Sequence, residues 1–385
     1  MRRRSISGAM VAVGVVGALT VGELAEATQR TTAKTTKNVK SKPTMNAKAR
    51  PTMNAKAKPT MNAKAKPTMN AKAKPKTTQP KTTKPKALST PGMPAGPIVP
   101  SSSGSSPMIG GCPVFPSDNP WNLDVSALPL HPRSAQWVAS VNSTRTTLHP
   151  DTGSNPEYGI PYVVVPSSQP LVQVRYTDYG DQSDPGPFPI PGDAPVEAGG
   201  DRHVLVVQSG TFRLYELFNA RRSDSGWEAS SGATFDLRSN ALRPAGWTSA
   251  DAAGLPILPG LLRYDEVASG EIRHALRFTV GTSQRAYISP ARHFAGIPDD
   301  RVPPMGARFR LRRDVDISRY RGHALVILRA LQRYGMIVAD NGSSWFITGA
   351  TDKRWNDDDL GQLKTVPGAW FEVVDTGPVV TSAPP

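Results

Sequence analysis

In the stretch Gly200 to Phe218, GDRHVLVVQSGTFRLYELF, one imidazole and one carboxyl group fall among hydrocarbon side chains. Both halves are rich in Val, Leu, Phe and Tyr, and Ser209-Gly210 between them is a two-residue hairpin signal. That loop sets His203 across from Glu216, whereas a loop at Gly210-Thr211 sets Phe218 there instead. In the first register the two polar groups share a face with Leu205, Val207, Phe212, Leu214 and Phe218, because strand side chains alternate. A carboxyl group in such a place is costly unless it is paired. As a structural pair His203 and Glu216 satisfy each other. As a chemical pair, a desolvated Glu beside a titratable ring has the makings of a general acid or base.

His274 extends the pattern, since Ile272, His274, Leu276, Phe278 and Val280 alternate with Arg273, Ala275, Arg277 and Thr279. Were the two strands neighbours, His203, Glu216 and His274 would form a two-His, one-carboxylate set suited to zinc or iron, the one metal site the sequence allows. No other cofactor is expected. Further carboxyls stand where loops meet strands. Asp340 opens an Asp-Asn-Gly turn, and Asp265 and Glu266 follow Leu261-Leu262-Arg263-Tyr264. Either Asp340 or Asp265 is an admissible second carboxyl for glycoside hydrolysis beside Glu216, while an ordinary turn accounts equally for Asp340. Asp178 to Gly200 carries Asp178, Asp181, Asp184, Asp193 and Glu197 among prolines and glycines. It lacks the spacing of a calcium loop and reads as a solvated lid leading into His203. Trp227, Trp247, Trp345 and Trp370 suit either sugar stacking or core packing. The G-x-S-x-G, phosphate-loop, dinucleotide-turn and H-E-x-x-H patterns are all absent, which disfavours nucleotide use and the common serine-hydrolase and zincin chemistries.

These residues need a scaffold. Short candidate strands recur at Tyr162–Val165, Leu171–Tyr176, 203–218, Ile272–Val280, Ala286–Ile288, Arg308–Leu311, Met336–Ala339, Trp345–Thr348 and Trp370–Val374, with Pro- and Gly-rich connections. Ala324, Ile327, Leu328 and Leu331 fall on one helical stripe within Ala324–Tyr334, and Gly335 follows as a C-cap. A second helix is expected over Ser134–Val141. The domain, 108–385, is thus mainly β, a β-sandwich or jelly-roll-like single domain with one or two packed helices. A single cysteine, Cys112, excludes an intrachain disulfide and any cysteine-rich metal site.

The N-terminal part is unlike the rest. Arg2-Arg3-Arg4, an apolar run from Ile6 to Gly22 and Ala25-Glu26-Ala27 follow the grammar of a cleaved secretory signal, residues 1–27, leaving no spanning helix in the mature chain. Residues 28–107 form a tail, expected to be disordered, that contains four PTMNAKA-plus-cation octapeptides over 43–74; one Met per unit cannot build a core. The tail holds 15 Lys and 2 Arg with no acids, whereas 108–385 has 24 Arg and 2 Lys against 29 acids. The whole-chain charge of +15 therefore resides in the tail, and only the tail argues for polyanionic partners. For an exported chain these are envelope polymers rather than nucleic acid; a soluble spacer is the alternative use.

Phe115-Pro116-Ser117-Asp118-Asn119-Pro120-Trp121-Asn122, Tyr158–Pro166 (YGIPYVVVP), Asp184–Glu197, Gly200–Val207, Ser239–Val267 and Ile327–Ala350 (ILRALQRYGMIVADNGSSWFITGA) resemble a family of exported bacterial proteins of uncharacterised activity. The resemblance implies one integral domain over residues 112–377 and assigns no catalytic residue. The combined expectation is a secreted or envelope-associated carbohydrate-active protein, a polysaccharide hydrolase or lyase, with Glu216, His203, Asp340 and Asp265 as candidate catalytic residues. A non-catalytic module binding an envelope polymer or partner is the alternative. Cleavage after Ala27 predicts that N-terminal sequencing of the mature protein begins at Thr28; a start at Met1 would mean that the apolar run is retained.

Overall fold

The computed structural model describes residues 101–102 and 104–382; the signal segment and residues 28–100 of the tail, with all four repeats, lie outside the described residues. Thirteen strands carry the architecture: β1 His149–Asp151, β2 Tyr162–Val165, β3 Gln173–Tyr176, β4 Val204–Gln208, β5 Arg213–Phe218, β6 Arg221–Ser223, β7 Gly226–Ala229, β8 Ser231–Asp236, β9 Leu276–Val280, β10 Arg308–Leu311, β11 Met336–Asn341, β12 Phe346–Thr348 and β13 Phe371–Val374. They form a six-stranded sheet in the order β13-β10-β11-β9-β12-β1, a four-stranded sheet β8-β5-β4-β2 and a three-stranded sheet β6-β7-β3. Short two-stranded ladders complete the sheet structure. The described residues belong to one compact unit, mainly β as expected.

Alternation places the sheets in layers. On the four-stranded sheet, Leu205, Val207, Leu214 and Phe235 join the main core, which continues into the six-stranded sheet. The opposite face, with Val204, Val206 and Leu217, packs with Trp227 and Ala229 of β7 and with Phe188 and Ile190 into a second core. Among the thirteen strands four of the pairings are parallel: β2 with β4, β3 with β7, β9 with β11 and β1 with β12. Parallel neighbours require long crossovers, which explains the extended connections between short strands.

Helix α1, Ser134–Asn142, lies close to the expected bounds, and so does the longest helix. The other α-helices among the described residues are α2 Tyr264–Ser269, α3 Gly322–Arg333 and α4 Asp357–Gly361. In α3 the expected stripe of Ala324, Ile327, Leu328 and Leu331 is buried, and Gly335 follows with φ 65°. The amide of Gly335 reaches back to the Ala330 carbonyl at 3.2 Å, so this glycine closes the helix and turns the chain into β11. A β-carbon at Gly335 would run into the Phe309 carbonyl as well as occupying the left-handed region. Gly335→Ala is therefore expected to cost at least about 1–2 kcal/mol of unfolding free energy, read as a lower urea midpoint. An unchanged midpoint would show that the turn relaxes freely.

Candidate functional site

The hairpin closes with Gln208 facing Arg213, so that Leu205, not His203, pairs with Glu216. Its loop, 209–212, contains Gly210 at φ 82° and Phe212 at φ 57°. The Gln208 carboxamide oxygen accepts from the Thr211 hydroxyl at 2.8 Å, holding this wider turn. The Ser209-Gly210 register with its direct His203–Glu216 pairing is thereby overturned; the facing positions are those of the alternative register, which sets Phe218 toward His203, although the loop is longer than two residues. His203 still points to the same side, with its ring 5.7 Å from that of Phe218.

Glu216 is fully buried and has a clear structural task. Its carboxyl group accepts from the amide of Ile257 at 2.9 and 3.0 Å and from that of Leu258 at 2.9 Å, holding the turn that leads into Leu261 and Leu262. Burial raises its pKa to about 7 despite the lowering effect of the two amides.

His203 finds its partners in the loops. Its Nδ1 lies 2.5 Å from Glu197 Oε2 and its Nε2 3.1 Å from the Ala250 carbonyl. With an acceptor at each nitrogen, both must carry protons, which makes the ring an imidazolium. Burial opposes that charge, but the hydrogen bond and charge of Glu197 outweigh it and leave the His203 pKa raised. Burial would likewise raise Glu197; its bonds to the ring and amide of His203 leave it lowered. Glu197 Oε1 receives no hydrogen bond from the described residues.

A second charged pair lies beside the first. Strand β9 alternates as expected, with Leu276, Phe278 and Val280 buried on one side. Arg277, on the other side, is also buried, because both faces of this central strand are covered. Its Nε and one Nη stand 3.2 Å from Asp251 Oδ2, and its other Nη donates to Thr348 Oγ1 at 2.6 Å. Asp251 is 1% exposed, and its Oδ1 has no hydrogen-bond partner among the described residues. Burial raises the Asp251 pKa against the pull of Arg277. Asp340, at the end of β11 opposite Thr279, is half-buried, and its Oδ1 accepts its neighbour's amide, Asn341 N, at 2.6 Å. Burial and the nearby Asp251 charge raise its pKa to about 7, with Arg277 acting in the opposite direction. Asp151, raised by burial, senses Arg277, Glu197 and Asp201.

Of the expected residues, then, His203 and Asp340 enter one electrostatic cluster with Glu197, Asp251, Arg277 and Asp151. Asp265 does not: it is exposed at the start of α2 and pairs with Arg354 at 3.0 Å. His274 stands apart as well, with Nε2 3.0 Å from Glu266 Oε2 and Nδ1 2.8 Å from the Ala275 carbonyl. His203, Glu216 and His274 therefore do not converge, and no group of three or more metal-ligating side chains able to hold an ion occurs among the described residues. The expected solvated lid is partly tied down through Asp184, which accepts from Arg243 and from the Thr234 amide. Trp227 and Trp345 belong to the core, whereas Trp247 and Trp370 are half-buried beneath Arg243 and Arg319. Asp251 and Arg277 escaped sequence reasoning; the one available signal was an arginine within the otherwise apolar Leu276–Val280 run.

No family model, curated protein or solved structure matches the chain. Among the described residues no helix is long and apolar enough to cross a membrane.

The titrations have opposite signs. Glu216 and Asp340 bind protons more tightly folded than unfolded, so their contribution falls as pH rises from their ordinary values, 4.5 and 3.8, to about 7. Glu197 is lowered, so its contribution is present above 4.5 and is lost as pH falls through its folded value. His203 is raised, so its contribution is full below 6.5 and is lost as pH rises through its folded value. Glu216→Gln, which mimics the neutral acid, should flatten the loss of stability between pH 5 and 8 by on the order of 2 kcal/mol in urea titrations. An unaltered slope would remove Glu216 from this balance.

Proposed function

We propose that the protein is an exported, envelope-associated hydrolase or lyase acting on a polysaccharide, with Asp340 as proton donor. The observation that carries this reading is the half-buried Asp340 carboxyl, protonated up to about pH 7, in the same cluster as Glu197, which is held ionised by His203. Two carboxyl groups driven to opposite protonation states are what acid–base cleavage requires. Glu197 supplies the carboxylate, through its unengaged Oε1, as base or as stabiliser of developing positive charge. His203 is a positioning residue that acts through Glu197, and the buried Asp251–Arg277 pair sets the potential at Asp340. Glu216, with its carboxyl group bound to two amides, has no part in the chemistry. The signal-like N-terminus and cationic tail favour an envelope location, where the tail holds anionic polymer by ion pairing.

The second reading is a non-catalytic module for an envelope polymer. It is favoured by the burial of His203, Asp251 and Arg277, at 5% exposure or less, in pairs that satisfy one another. Reducing-end and unsaturated-product release from a polysaccharide panel distinguishes the two. Asp340→Asn, which preserves the shape of the protonated acid, should lower turnover by about 10²–10⁴-fold while leaving the fold intact. Unchanged turnover would remove Asp340 as donor, and the absence of product from every polysaccharide would favour the binding module.

A further inference from the structure

Five arginines of the domain are buried, and four of them hold a carboxylate: Arg243 with Asp184, Arg263 with Glu266, Arg277 with Asp251 and Arg310 with Glu372. The fifth, Arg308 on β10, is 3% exposed and forms no ion pair with any described residue. Its Nε donates to the Tyr334 carbonyl at 2.6 Å, one Nη to that of Pro120 at 2.8 Å and the other to that of Leu123 at 3.4 Å. Two of its five N–H groups thus lack an acceptor among the described residues. Asp124, whose charge reaches Arg308, is bound to Arg333 at 2.9 Å. Burial accordingly pushes the guanidinium down to about 9. A buried cation with no counter-ion is an expensive feature unless a ligand completes it.

Arg308 lines a cavity of about 570 Å³, within the range of small-molecule sites. Leu123, Val125, Leu128 and Ile337 provide apolar walls, and Thr376 contributes a hydroxyl that is itself buried without a hydrogen-bond partner among the described residues. Asp375 also borders the space, but it is exposed and its carboxylate accepts from the Gly377 amide at 3.1 Å. We propose that this cavity binds a small amphipathic monocarboxylate, with its carboxylate on Arg308 and the Thr376 hydroxyl and its hydrocarbon body against Leu123, Val125, Leu128 and Ile337. The planar guanidinium with two unengaged N–H groups suits a carboxylate, and the apolar walls suit a chain rather than a sugar. This site shares no residue with the Asp340 cluster and does not depend on the activity proposed there.

Calorimetric titration of the full mature chain with decanoate, decanol and decyltrimethylammonium tests the inference. One decanoate per chain should bind, at least about tenfold more tightly than decanol, as a charge-assisted bidentate contact implies, and the cation should not bind. Arg308→Lys should narrow that preference. Leu123→Trp, which leaves the cation in place and fills the cavity from its apolar wall, should abolish binding of both decanoate and decanol without altering any polysaccharide turnover. No decanoate binding, equal affinity for decanoate and decanol, or decanoate binding that survives Leu123→Trp in a folded protein would each overturn the proposal.

Discussion

The buried ion pair of Asp251 and Arg277 is the constraint to which the candidate site answers. Removing two charges from water is unfavourable, and it is tolerated only when geometry and further hydrogen bonds compensate. Here the guanidinium spends three nitrogens on Asp251 and Thr348, so β9, β12 and the loop carrying Asp251 must hold their relative positions. The loss of either partner would strand the other charge in the interior. That requirement gives the cluster rigidity, and rigidity is what allows the charge of Asp251 to act on Asp340.

Around this pair the charges alternate in a way that separates two carboxyl groups by environment alone. Asp340 stands near Asp251, a like charge, and is held protonated; Glu197 is bonded to an imidazolium and is held ionised. Neither state follows from residue type. The residue leading into β4 and the lid segment supply His203 and Glu197, whereas the six-stranded sheet supplies Arg277, Thr348 and Asp340. A mainly β domain built in layers brings these groups together without any local motif.

The legible parts of the sequence were those governed by period and by end signals. The stripe of α3, its Gly335 stop, the strands at Tyr162–Val165 and Arg308–Leu311 and the alternation of β9 all depend on nearest-neighbour chemistry. The hairpin was legible as a hairpin, but not in its register, since Gly210-Thr211 and Ser209-Gly210 are both acceptable turn sites. The outcome turned on the Gln208–Thr211 hydrogen bond and the left-handed Phe212. A two-residue shift of register moved Glu216 from opposite His203 to opposite Leu205, where its carboxyl group meets the amides of Ile257 and Leu258, 41 and 42 residues away. The β6, β7 and β8 strands were missed, since their Arg-, Gly- and Ser-rich segments acquire strand character from their neighbours rather than from propensity.

Arg277 and Arg308 show why composition could not reveal function here. Each sits beside an apolar neighbour in a short strand of the same sheet, and each is buried by layers on both sides of it. The fold gives Arg277 a carboxylate from a distant loop and gives Arg308, among the described residues, only carbonyl oxygens and a cavity. A carbonyl dipole satisfies a donor but cannot neutralise a full charge, so the two positions differ in what they still require. The first is closed and serves to set the potential at another residue. The second remains electrostatically incomplete, and its incompleteness, rather than any motif in the chain, is what points to a ligand.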